Sequence, residues 1–154
     1  MYQVLVFIHI VCAFIWVGGS FFAQLLALRA QKASDPTVLP SIGRQIEYLG
    51  MRVFLPASIV LFIAGAIMVM QAYSFGQLWV SVSMGLWLLS VIAGALYIGP
   101  RTKKIAELFE AEGPSSPAAR SLLGRVFLVS RLELVSFAII LVMMVFKPGV
   151  GGAA

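Results

Sequence analysis

The only histidine of the chain lies in a stretch that is otherwise almost entirely hydrocarbon, "FIHIVCAFIWVGGSFFAQLL", residues 7–26. On an α-helix, His9, Ala13, Trp16, Ser20 and Gln24 fall within about 60° of one another, so these side chains share one stripe. Lipid cannot satisfy hydrogen-bonding groups, so we expect the stripe to face the interior of a helix bundle. There His9 and Gln24 hydrogen-bond across helices, or His9 binds a cofactor.

Five of the 7 methionines are expected at the depth of His9, about 8 Å below the outer surface by helical rise. They are Met68, Met70, Met84, Met143 and Met144. Imidazole and thioethers together ligate Cu(I), or haem iron through His/Met axial ligation. We therefore predict His9 as a haem or copper ligand, opposite Met68, Met84 or Met143, although methionine also simply fills apolar cores. The second ring nitrogen of a ligating histidine is usually held, and we expect its partner to be Gln71, Tyr73 or Ser81.

Glu133 is expected to lie inside the membrane. The purely apolar residues 134–146 span only about 20 Å, whereas a hydrocarbon core is about 30 Å thick, so the helix must include "RVFLVSRLE". Glu133 then lies about 10 Å inside the cytoplasmic face. Arg131 is less deep and can extend to the surface. Ser130, Glu133, Phe137 and Ile140 form one face of this helix, which we expect to turn inward.

Two roles remain open for Glu133. It forms an inter-helix ion pair with an arginine at the cytoplasmic end of a neighbouring helix, or it is a proton-relay carboxylate. The arginines that could pair with it are Arg52, Arg29 and Arg101. The second role predicts a small proton-coupled transporter.

The elements that position these residues are four long apolar runs. The chain of 154 residues is 61% hydrophobic and only 11% charged, whereas soluble domains carry about 25% charged residues. The runs cover approximately residues 4–28, 53–73, 78–98 and 126–146, and each is long enough to cross a bilayer. The first run lacks the basic segment and cleavage site of a signal peptide. We predict an all-α protein, an integral membrane four-helix bundle forming a single transmembrane domain over residues 1–154.

The cations predict the orientation of this bundle. Of the 11 lysines and arginines, ten lie in or beside the two long loops, and only Lys147 lies on the other side. This positive-inside pattern predicts two cytoplasmic loops and both termini outside, and the net charge of +5 then implies no nucleic-acid partner. We expect residues 41–52 to lie along the membrane interface and Pro100 to stop the third helix. Cys12 is the single cysteine, so no disulfide forms within the chain.

Four sequence segments resemble those of a known group of membrane proteins. They are "HIVCAFIWVGG", "RVFLPASIVLFIAG", "GPRTKK" and "MVFKPG". With them, the chain resembles small four-helix bacterial integral membrane proteins of unknown function. These are similar to the membrane domain of copper-resistance protein D and, more distantly, to HemJ-type protoporphyrinogen oxidases. The chain departs from the HemJ pattern because it has one histidine and no lysine inside the second or third span, so no oxidase activity is assigned.

The resemblance implies that His9 ligates haem or copper, with Trp16, Gly18 and Gly19 as packing support, in a bacterial inner membrane. Together with the cation pattern, this predicts periplasmic termini. We therefore predict a multi-pass protein in a redox or metal-handling role, binding haem b or copper. One histidine per chain requires His/Met ligation, five-coordinate iron or a homodimer, and the partner in electron transfer would be another membrane protein. The alternatives are the proton-coupled transporter using Glu133 and a structural or accessory membrane subunit.

Overall fold

The protein is described by a computed structural model that covers residues 1–33, 37–113 and 115–149. Four long helices account for nearly all of these residues: α1 (Tyr2–Ala30), α2 (Val38–Ala72), α3 (Leu78–Glu112) and α4 (Pro117–Phe146). Each is long and apolar enough to cross a membrane. The described part of the chain contains no β-strand. The prediction of an all-α four-helix membrane bundle is therefore confirmed.

The helices run up and down, so the start of α1, the turn between α2 and α3 and the end of α4 lie at one end of the bundle. We call this the terminal end, and the opposite end, with the two long connections, the loop end. Large apolar side chains point outward all along the helices: Phe7 is 68% exposed, Leu96 71% and Val145 72%. Contiguous apolar surface of this kind is unstable in water, and it fits a bundle surrounded by lipid.

At the terminal end the helices form two pairs. The first half of α1 packs mainly against α2, and the first half of α3 packs mainly against α4, with few contacts between the pairs. At the loop end the packing is different, because the extended ends of α2 and α3 pack against each other and α3 packs against α4. A buried apolar core fills this end: Ile105, Phe109, Ala119, Leu123, Val126 and Phe127.

The second and third helices are longer than predicted. Each has 35 residues, or about 52 Å, which exceeds the hydrocarbon core by about 20 Å. Residues 41–52 belong to the first part of α2 and continue without a break into its apolar part. The protruding ends of α2 and α3 are joined by an ion pair between Arg44 and Glu110.

Pro100 does not stop α3, contrary to the prediction. A residue before proline normally avoids the helical conformation because its Cβ meets the proline ring. Here that residue is Gly99, which has no Cβ and adopts helical angles of φ −53° and ψ −59°. The segment before it, Ala93–Ile98, is a π-helix, whose wider turn also makes room for the ring. The helix therefore continues to Glu112.

Two further π-helical segments interrupt the helices. One is Phe14–Gly18 in α1, and the other is Gly50–Phe54 in α2, just before Pro56. Single π turns are rare and frequently occur at functional sites.

Candidate functional site

His9 lies on α1 and contacts the backbone of α2. Its Nδ1 atom is 2.9 Å from the carbonyl oxygen of Leu61. A carbonyl only accepts, so Nδ1 carries the hydrogen and donates it, and Nε2 is left without one. Gly65 gives the ring its space, because a Cβ added there would lie 3.0 Å from Cε1 and 3.2 Å from Nδ1 of His9. Gln71, Tyr73 and Ser81, which we expected as partners, do not hold this nitrogen.

The half-buried imidazole borders a cavity of about 610 Å³ between the two helix pairs, which we call the outer cavity. Its wall is largely apolar and aromatic, with residues from all four helices. They include Val6, Phe14, Trp16, Phe62, Val69, Trp79, Trp87 and Ile140. This volume is in the range of about 300–1,000 Å³ that holds small molecules and cofactors.

Three methionines border the outer cavity with His9, one from each of the other helices: Met68, Met84 and Met144. Met143, which we predicted as a ligand, does not border it. Its side chain packs instead against the cluster of Val69, Trp79 and Val80. Met70 is 67% exposed and points away from the bundle.

The outer cavity has a cationic mouth. Lys147 follows the end of α4 and lines the cavity together with Tyr2 and Tyr73. Its Nζ donates a hydrogen bond of 2.7 Å to the Tyr73 hydroxyl and lies 5.5 Å from the centre of the Trp79 ring. No acidic residue lines the outer cavity in the part of the chain that the structure describes.

Trp16 closes the base of the outer cavity. It belongs to the π segment of α1, is buried, and packs edge to face on Phe137 of α4 with ring centroids 4.7 Å apart. Trp16 also lines a second cavity of about 160 Å³ toward the loop end, which we call the inner cavity. Residues of all three π segments border the inner cavity: Trp16, Gly50, Met51, Phe54, Gly94, Ala95 and Ile98.

The inner cavity contains the remaining polar residues of the two inward faces. Ser20 and Gln24 of α1 line it, and so do Ser130 and Glu133 of α4. The Gln24 side-chain nitrogen donates a 2.6 Å hydrogen bond to the Ser130 carbonyl oxygen. The prediction that these faces of α1 and α4 turn inward is thus confirmed. On each helix, one part of the face lines the outer cavity and another part lines the inner cavity.

The arginines do not contribute to this site. Arg52 and Arg131 are exposed. Glu133 forms no ion pair within the described residues, where Arg44 and Glu110 are the ion pair found. The expected pairing of Glu133 with Arg52, Arg29 or Arg101 is therefore wrong. The Glu133 carboxyl group instead faces α3, where a Cβ added at Gly94 would lie 3.7 Å from its Oε1 atom.

Two buried serines of α3 were not predicted. Ser83 and Ser90 are each 3% exposed, and neither hydroxyl has a hydrogen-bond partner in the described part of the chain. Ser83 borders the outer cavity, and Ser90 borders the inner cavity. The sequence feature that could have identified them is their spacing of seven residues, which places both on one helix face.

A metal site built only from histidine, cysteine and carboxylate side chains does not occur among the described residues, where no group of three such side chains comes together. A metal at His9 would therefore depend on thioethers or on a macrocycle for its other ligands. The histidine itself fits the requirement, because ligating histidines donate their second ring N–H to a carbonyl or carboxylate.

This fold, with its two internal cavities, defines a polytopic membrane protein with four spanning helices. A family model described as "Predicted integral membrane protein (DUF2269)" matches residues 3–148. The chain belongs to this family. Comparison with curated proteins gave no match, and comparison with solved structures gave none either.

Proposed function

We propose that the outer cavity binds haem b in a redox role, and that Nε2 of His9 is the atom that would ligate its iron. The observation that carries this proposal is the 2.9 Å contact between Nδ1 of His9 and the Leu61 carbonyl oxygen. It leaves Nε2 as the basic nitrogen, next to a cavity of about 610 Å³. Haem supplies one-electron chemistry when bound, and the protein supplies the ligand and the apolar surroundings.

The size and wall of the outer cavity favour haem over a lone copper ion. A Cu(I) ion needs two or three soft ligands close together and little further space, whereas this cavity has room for a flat apolar ring system. Aromatic side chains such as Trp79 and Trp87 form much of its wall. Met68, Met84 and Met144 supply thioethers from three helices, and one of them could be the second axial ligand of haem iron. Copper bound by His9 and these methionines is the alternative.

The cationic mouth supports the same proposal. Haem has an apolar ring and two carboxylate groups on one edge. Lys147, at the outer limit of the cavity, is a donor that these carboxylates could bind at the membrane surface. His9 would thus hold the iron of haem, and Lys147 would bind its carboxylates.

We further propose that the protein lies in a bacterial inner membrane with both termini on the periplasmic side. The distribution of its cations supports this orientation. In this orientation the outer cavity opens toward the periplasm, and the inner cavity lies in the cytoplasmic half of the bundle. A homodimer or a second membrane protein would then be the partner in electron transfer.

Ligand rescue tests the role of His9. Purified apoprotein is titrated with haemin, and absorption is recorded for the wild type, for His9→Gly, and for His9→Gly with added imidazole. We expect the Soret band of the wild type to be lost in His9→Gly and restored by imidazole. Ser20→Ala serves as the control, because it removes a polar group from the same helix but lies in the inner cavity. An unchanged spectrum in His9→Gly would exclude His9 as the ligand.

A proton-coupled transporter is the second candidate function. The observation that favours it is Glu133, which lies inside the bundle, borders the inner cavity and has no ion-pair partner among the described residues. An intramembrane carboxyl group of this kind typically marks a substrate or ion pathway. If neither haem nor copper binds and Glu133→Gln is without effect in any assay, the accessory-subunit interpretation is favoured.

A further inference from the structure

We propose that the inner cavity is a binding site for a small organic amine in its ammonium form, held by the Glu133 carboxylate. This site is separate from the outer cavity and does not depend on haem binding. The charge of the cavity wall, its polar groups without partners and the size of the cavity support it.

The charge of the wall is the first observation. Two carboxylates line the inner cavity, Glu133 at depth and Glu47 toward the loop end, and no lysine or arginine lines it among the described residues. This is notable because ten of the 11 cations of the chain lie in this half of the bundle or in its loops. Neither carboxylate forms an ion pair in the described part of the chain. A buried carboxyl group without a partner is either neutral or paired with a cation. A cationic ligand would stabilise the ionised form of Glu133, and the wall supplies no lysine or arginine for this purpose among the described residues.

The polar groups without partners are the second observation. Ser90 borders the cavity, and its buried hydroxyl has no hydrogen-bond partner among the described residues. Gln24 uses its amide nitrogen on the Ser130 carbonyl, which leaves its side-chain oxygen available as an acceptor. A buried hydroxyl without a partner is rare in folded proteins and calls for a ligand or a water molecule. An ammonium group has three N–H donors, and the cavity wall includes three residues with side-chain acceptors: Glu133, Gln24 and Ser90.

The size and composition of the cavity define the class of amine. A volume of about 160 Å³ is close to that of an apolar cavity known to hold a benzene molecule, so the ligand has about six heavy atoms. Most of the wall is apolar, with side chains such as Phe54, Leu123 and Phe127. Inorganic cations are disfavoured, because Ca²⁺, for example, requires six to eight oxygen ligands at short distance. The ligand we expect is therefore an ammonium group on a compact apolar body.

Access is from the loop end. The wall extends from Trp16 in the middle of the bundle to Leu39, Glu47 and Thr102 near the long connections. Glu47 and Thr102 are only half-buried, so the polar entrance lies on this side. The edge-to-face pair of Trp16 and Phe137 closes the other side. The site therefore takes its ligand from the cytoplasm in the proposed orientation.

The test uses cyclopentylamine and its neutral isostere cyclopentanol, each with six heavy atoms. Binding to the purified full-length protein in detergent is measured at neutral pH by calorimetry and by the shift in melting temperature. We expect cyclopentylamine to bind at least about tenfold more tightly than cyclopentanol, the factor for a hydrogen bond to a charged group. Equal affinities, or no binding of cyclopentylamine to the wild type, would overturn the proposal.

Variants then locate the site. Glu133→Gln should weaken cyclopentylamine binding at least about tenfold, while Glu133→Asp, which keeps the charge, should retain part of it. Ser90→Ala should weaken it several-fold, by about one hydrogen bond. Glu107→Gln is the matched control, because Glu107 is an exposed carboxylate on α3 that does not border the cavity. If Glu133→Gln fails to fold, the affinities of Glu133→Asp and Ser90→Ala for cyclopentylamine test the proposal instead. Wild-type affinity in both variants would contradict it.

Discussion

The indole of Trp16 and the phenyl ring of Phe137 meet edge to face, with ring centroids 4.7 Å apart and ring planes at 65°. This pair lies between two cavities of opposite character. The outer cavity has Lys147 at its mouth and no acidic residue among the described residues, whereas the inner cavity has Glu47 and Glu133 and no lysine or arginine there. The two rings therefore separate a cationic site from an anionic one within a single bundle.

Removing this aromatic partition should destabilise the protein. Trp16 is 6% exposed and Phe137 is 1% exposed, so Trp16→Ala should lower the free energy of unfolding by about 3 kcal/mol, as for large-to-small substitutions in cores. The measurement is unfolding of the purified protein in mixed micelles, followed by circular dichroism. Phe14→Ala is the control, because Phe14 belongs to the same π segment but is 79% exposed. Equal losses in the two variants would show that the partition is not part of the packed interior.

The space at Gly65 should control haem binding through His9. Gly65→Ala would place a Cβ 3.0 Å from Cε1 of His9, so the ring must shift by a few tenths of an ångström, and we expect this shift to weaken its hydrogen bond to Leu61. Loss of a partner that orients a metal-ligating histidine typically costs about 10- to 100-fold in affinity. Haemin titration of the purified variant measures this loss.

The control for Gly65→Ala is Gly85→Ala on α3, where an added Cβ meets nothing within 4 Å. Both variants should insert and melt almost as the wild type does. Unchanged haem affinity in Gly65→Ala would show that the Leu61 contact does not orient the ligand.

The sequence predicted the faces of α1 and α4 well, because helical periodicity alone determines which residues share a side. It could not predict the partner of His9, since the Leu61 carbonyl is a backbone group 52 residues away and has no side-chain signature. The sequence predicted the depth at which the methionines lie along their helices, but it did not predict which side of the helix each one faces. Met143 and Met144 are neighbours in the sequence and differ by about 100° around the helix, and only Met144 borders the outer cavity.

Two other predictions failed because the surroundings of a residue offset the local effect on which the prediction was based. Pro100 was expected to end α3, and Gly99 together with a π turn allows the helix to continue. The ion pair of Glu133 was expected because arginines lie at a similar depth. Arg52 and Arg131 are exposed instead, because a long side chain at a helix end can reach water without a partner. The sequence does not show whether such an arginine pairs with a carboxylate or extends to water. Only the structure shows that Glu133 has no ion-pair partner among the described residues.

The hydrogen bond from Gln24 to the Ser130 carbonyl joins α1 to α4. Gln24→Leu should lower the free energy of unfolding by only about 0.6 kcal/mol, the average for hydrogen bonds between membrane helices. Unfolding in mixed micelles measures this change. Ser136→Ala is a useful comparison, because the exposed Ser136 hydroxyl bonds within its own helix, to the Leu132 carbonyl. A loss of several kcal/mol in Gln24→Leu would indicate that the residue does more than join two helices.

The orientation in the membrane is testable with single cysteines in a Cys12→Ser background. Ser74 lies in the turn at the terminal end, and Ser115 lies in the connection at the loop end, and both are exposed. In intact cells, a membrane-impermeant thiol reagent should label Ser74→Cys and leave Ser115→Cys unlabelled until the cells are broken open. Labelling of Ser115→Cys in intact cells would reverse the orientation and place the inner cavity on the periplasmic side.

The most direct test of the central claim is the absorption spectrum of the wild-type protein, purified from cells supplied with haem precursor and recorded oxidised and dithionite-reduced. Binding of haem b through His9 predicts a Soret band at close to one haem per chain, a shift on reduction, and loss of the band in His9→Ala while the four helices remain folded. A protein without haem absorbance and without stoichiometric copper would contradict the claim, and His9 would then be a hydrogen-bonded polar residue between α1 and α2.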